Sequence, residues 1–186
     1  MHLWRRLICF GSVFGLSLTG LVHAQEVREA RANIDWAAAR ADAERLAGSQ
    51  GAGLNSFRSA NAANLDSIGV PVLVPGTGPV RAAPNVKGQG TAYAATYMLN
   101  AAKLSVMGTA SALVPPRPEE FTALANRADA RTFEQGEDGA DLSFVRYGAA
   151  YVLRLSCARL DDARCTNDAF LNAVADSLLP IGGREQ

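Results

Sequence analysis

The chain has 186 residues, with 18 Lys or Arg against 18 Asp or Glu. That is length enough for one domain with a sizeable core, and too little net charge to draw it to nucleic acid or an anionic membrane. Its histidines are His2 and His23 and its cysteines Cys9, Cys157 and Cys165, so the fate of the first two dozen residues decides which chemistries remain.

Arg5 and Arg6 precede an apolar run over residues 7–22 that closes on Val22-His23-Ala24, a small-x-small pattern ahead of Gln25. This predicts a cleaved secretory signal peptide over residues 1–24, because the run is shorter than the ~20 apolar residues of a membrane span. Cleavage leaves 162 residues, no integral membrane span, no histidine, and 16 basic against 18 acidic side chains. Ser-His-Asp and Cys-His catalysis and His-based metal sites are then closed to the exported chain. No cofactor is implied, and no Gly-x-Ser-x-Gly or Ser-x-x-Lys motif marks a catalytic residue. Cys157 and Cys165 become an even pair, which an oxidising periplasm or exterior should join.

Residues 25–47 read as an alanine-rich helical arm, with Val27, Ala30, Ile34, Ala37, Ala38 and Ala41 on one face of a helix over 27–46. Arg31 with Asp35 and Arg40 with Glu44 are spaced as i,i+4 pairs. Trp36 lies off the apolar stripe and is the only tryptophan beyond the leader; it either docks the arm on a partner or a membrane surface or packs on the protein's own domain. Residues 48–66 read as a flexible linker, with Leu54 and Phe57 as its apolar anchors and room for a short helical turn.

An α+β domain is expected over 67–183. Val70, Val72 and Val74, bracketed by Pro71 and Pro75, suit an edge strand, and Gly76-Thr77-Gly78-Pro79 a tight turn. Tyr93, Ala95, Tyr97 and Leu99 share one face of a strand. After a turn at Asn100-Ala101, Leu104, Val106, Gly108, Ala110 and Ala112 share a face of the next. Prolines at 115, 116 and 118 stop that strand, and a short helix over 119–126 should follow with Phe121 and Leu124 inward. Thr132 to Glu134 could form a strand that turns at Gly136–Gly139.

Residues 142–157 alternate as one strand around which the domain is built: Val145, Tyr147, Ala149, Tyr151, Leu153, Leu155 and Cys157 on one face, with Gly148 marking a bulge or bend. A C-terminal helix follows, capped by Thr166 or Asn167, burying Phe170, Leu171, Val174 and Leu178, and ended by Pro180 and Gly182-Gly183. A Cys157–Cys165 bond would tie the long strand to this helix, worth roughly 2.5 kcal/mol on loop entropy. The sum is a mainly antiparallel, twisted sheet of about five strands with the C-terminal helix on one face, preceded by an Ala-rich N-terminal helix.

Two side-chain groups carry functional readings. All four tyrosines fall in two i,i+4 pairs, Tyr93 with Tyr97 and Tyr147 with Tyr151, either filling a core or flooring a ligand site. Glu134, Glu137, Asp138 and Asp141 form the densest acidic group: a solvated turn, a calcium site, or a pair of catalytic carboxylates. The residues point first to an exported, non-catalytic protein-binding or accessory module of the envelope or exterior. The alternatives are a small-ligand carrier using the tyrosine face and a carboxylate-dependent hydrolase.

Overall fold

The structure, a computed structural model, describes residues 28–47, 52–76, 80, 84–114, 130–159 and 161–185. The expected leader over 1–24, the turn at 77–79, the proline stop at 115–118 and the helix over 119–126 lie outside the described residues. The first half of the chain runs β1 (Arg28–Arg31), α1 (Trp36–Ala47), α2 (Ala52–Ala60), α3 (Ala62–Asp66), β2 (Val72–Pro75), β3 (Asn85–Gln89), β4 (Ala92–Leu99), β5 (Ala102–Thr109) and β6 (Ser111–Val114). The second runs β7 (Thr132–Gln135), β8 (Gly139–Arg146), β9 (Ala149–Cys157), α4 (Ala163–Thr166), α5 (Ala169–Asp176) and β10 (Leu178–Gly182).

The fold is α+β, built on a six-stranded antiparallel sheet of order β3-β4-β5-β9-β8-β7 where about five strands were expected. Two three-stranded meanders, β3-β4-β5 and β7-β8-β9, join where β5 pairs with β9. The β4–β5 hairpin follows the expected alternation, burying Tyr93, Ala95 and Tyr97 against Leu104 and Val106. Its turn places Ala101 at φ 55°, a left-handed conformation that costs a residue with a Cβ.

The long strand expected over 142–157 is instead the β8–β9 hairpin. Arg146 pairs with Ala149, and Tyr147 and Gly148 form the two-residue turn between them, both at positive φ (53° and 77°). That is the twist a tight hairpin requires. A Cβ on Gly148 would stand 2.1 Å from the carbonyl oxygen of Asn33, so only glycine lets the N-terminal segment cross the turn so closely. The turn also shifts the inward set: Leu142 and Phe144 are buried on β8, whereas Ala149, Tyr151, Leu153 and Leu155 are buried on β9. Val145 falls on the other face.

The C-terminal helix is shorter than expected. α5 buries Leu171, Val174 and Ala175 and packs on β8 and β9, but Leu178 leaves it to begin β10. The Arg146 guanidinium donates to the carbonyls of Ala175 and Leu178 at 3.2 and 3.3 Å, satisfying acceptors freed at the helix end. β10 pairs antiparallel with β2, with a bulge between Pro180 and Gly182. β2 has one ladder neighbour, as expected of an edge strand, yet Val70, Val72, Leu73 and Val74 are all fully buried.

The Cys157 and Cys165 sulfurs stand 2.08 Å apart, a disulfide that fastens the end of β9 to α4, and Cys165 is buried. At the N-terminal end, the expected single helix over 27–46 begins only at Trp36. Arg28–Arg31 pairs instead with β6, the continuation of β5 past Ala110. The stretch read as a linker carries α2 and α3, with Leu54 and Phe57 packed against the core and Leu65 buried.

Candidate binding groove

Asp35 accepts the Ala38 amide at 2.9 Å and caps α1. It is therefore a helix cap and not the partner of Arg31 expected from spacing. The helix start is held on the β8–β9 turn from two sides. The Asp35 amide donates to the Tyr147 carbonyl at 2.9 Å, and the Tyr147 hydroxyl donates to Asp42 Oδ2 at 2.7 Å. That hydrogen bond, outweighing burial and helped by Arg45, holds the Asp42 carboxyl below its usual range. Burial first, and then the Asp42 carboxylate, push the Tyr147 phenol up.

So anchored, α1 presents Trp36, Ala39, Arg40 and Ala43 on one helical face toward the end of β10. The half-buried Trp36 ring lies over Gly183. α2 and α3 form the opposite bank. The result is two adjoining hollows of about 320 and 570 Å³, which share Arg58, Ile181, Gly182 and Gly183. Arg40 and Arg184 line the first, and Asp66 and Asn55 the second.

The charges of this groove differ from those elsewhere. Among the described residues, Arg45, Arg131, Arg154, Arg159 and Arg164 are each paired with a carboxylate, and Arg146 with two carbonyls. Of the arginines whose side chains are described, four make no such contact, Arg31, Arg40, Arg58 and Arg184, and three of them line the groove. The Arg40–Glu44 pair expected from spacing does not form, and Arg40 lines the groove.

The tyrosines do a different job from flooring a pocket. Tyr93, Gly108 and Tyr151 are successive neighbours across β4, β5 and β9, and a Cβ on Gly108 would meet the two rings at 2.4 and 2.8 Å. The missing side chain makes room for both rings, which rise from the sheet to the strand lying over it. The Tyr93 hydroxyl accepts from the Leu73 amide at 2.8 Å and donates to the Leu73 carbonyl at 3.2 Å. Tyr151 donates to the Pro71 carbonyl at 2.8 Å and stacks on Phe144, with centroids 5.5 Å apart. Tyr97 is buried, and its hydroxyl has no partner among the described residues. Tyr147 is not on the sheet at all; it sits in the turn against α1. Neither hollow of the groove is lined by a tyrosine.

The acidic group stands on open surface. Glu134, Glu137 and Asp138 are exposed, and Asp141 is gripped by Arg154 through bonds of 2.9 and 2.6 Å. Among the described residues no cluster of three His, Cys, Asp or Glu side chains is placed to hold a metal ion, and no helix is long and apolar enough to cross a membrane.

Sequence reasoning named Trp36 but missed Arg40, Arg58 and Arg184, which lie far apart in the chain and share no local motif. The signal that could have found Arg58 is the lack of an acidic neighbour four residues to either side. Comparison with known proteins gives no match: no family model fits the chain, and neither curated proteins nor solved structures include a counterpart.

Proposed function

We propose that the chain is an exported, non-catalytic binding module of the envelope or exterior, and that it holds a protein partner in the groove between α1, α2 and the end of β10. The observation that carries this reading is a half-buried tryptophan set among arginines that have no partner within the described residues. Tryptophan and arginine are the side chains most enriched among residues that dominate binding energy at protein interfaces. Export is supported by the leader pattern and by the disulfide. A non-catalytic role is supported by the absence of histidine beyond residue 23 and by the occupation of the tyrosine hydroxyls at 93, 147 and 151 in structural bonds.

Crosslinking in the native compartment tests the reading. Deleting residues 25–64 would remove β1, α1 and α2 from the fold, so Trp36→Ala is the sharper probe. Loss of a specific crosslinked partner with an unchanged melting curve is expected; a partner retained at full yield would remove the groove from the function.

A further inference from the structure

Resting on that reading, we infer that the groove recognises a short acidic segment of its partner, an extended peptide whose carboxylates meet Arg40, Arg58 and Arg184 while an apolar side chain lies on Trp36. Of the ten guanidinium groups described, six are taken up by carboxylates or carbonyls, and the four that are not are Arg31 and the three of the groove. The three that line the groove present planar, bidentate donors to whatever enters it. All three line the first hollow together with Trp36, and Arg58 also borders the second, so one short segment can set its carboxylates on them while an apolar side chain lies on the ring.

The length of the occupant is limited by the rim. Glu185 stands beside the three arginines of the first hollow, and Asp66 lines the second, where Arg58 is the one arginine. A long polyanion running on past Arg58 would meet Asp66 with little positive charge to offset it, whereas a short segment confined to the first hollow does not. The balance of 18 acidic and 18 basic residues likewise offers no wider field for nucleic acid or a sulfated glycan.

Trp36 supplies the readout, because it is the only indole beyond residue 24. The protein from Gln25 onward is titrated with a short capped peptide alternating glutamate with leucine and phenylalanine, and with its glutamine counterpart. Saturable change in Trp36 emission is expected with the acidic peptide alone, weakening as salt is added. Arg40→Gln, Arg58→Gln and Arg184→Gln should each weaken binding about two- to fivefold and the triple change at least about tenfold, while Arg31→Gln leaves it unaltered.

These arginines are exposed and hold nothing in the fold, so the variants should melt like the parent. Equal binding of the glutamine peptide, no binding of the acidic one, indifference to the triple change, or stronger binding of a sulfated glycan or single-stranded DNA would each overturn the inference. A natural partner lost with Trp36→Ala but kept by the triple variant would leave the binding module standing and remove the acidic segment.

Discussion

The Tyr93 hydroxyl closes a two-bond ring with the main chain of Leu73, taking its amide proton and giving one to its carbonyl. Leu73 faces Pro180 across the β2–β10 ladder, and proline has no N–H to offer. A side chain from another sheet thus completes the hydrogen bonding of a fully buried strand.

Replacing Tyr93 by Phe should therefore strand two buried main-chain groups and cost about 1–3 kcal/mol. Tyr97→Phe removes a hydroxyl that has no partner among the described residues and should be neutral or slightly stabilising. Denaturant unfolding of the two variants checks this, and equal losses would show that the two bonds to Leu73 add nothing to stability.

All four phenols are held above their ordinary value of 10.0, chiefly by burial. In the unfolded chain they ionise near that value, so the stability they contribute is complete below pH 10 and declines as pH rises further. Tyrosinate absorbance should stay flat through pH 10 and then rise together with loss of circular dichroism. A separate early rise would identify a phenol in contact with solvent.

Gly148→Ala should loosen the N-terminal segment, because the new methyl meets the Asn33 carbonyl in a backbone conformation that disfavours any Cβ. A loss of at least about 2 kcal/mol is expected. Tyr147→Phe, which removes only the bond to Asp42, should cost about 1 kcal/mol. If both variants melt like the parent, the turn does not anchor α1.

Exchanging Cys157 and Cys165 together for Ser should lower stability by about 2.5 kcal/mol, the loop-entropy value for so short a closure. A reductant should bring the parent's melting temperature down to that of the double variant, and no shift in reductant would mean that the bond contributes nothing to stability.

The sequence was most readable where hydrophobic period and turn chemistry agreed. Tyr93, Ala95 and Tyr97 alternate cleanly into β4, and Gly136–Gly139 turns β7 into β8. The disulfide followed from counting cysteines once the expected leader over 1–24 is set aside. The β8–β9 hairpin stayed hidden because Tyr147 takes the place where asparagine or aspartate usually announces the turn, and the alternation runs on through it. β10 was hidden by Pro180 and Gly182, which read as helix stops until β2, about a hundred residues earlier, is seen to need a partner. α2 forms from residues of poor helix propensity because Leu54 and Phe57 find the core, a tertiary gain that local pattern does not show.

The pairing of β2 with β10 also sets an order of events. β2 comes early in the chain, yet the strand beside it ends at Gly182 and the hydroxyls over it come from β4 and β9. As the polypeptide lengthens during synthesis, β2 lacks its ladder partner until residues 178–182 are available. Such distant contacts make for slow folding, so the time between the emergence of the two strands is one in which this apolar segment stands unpaired.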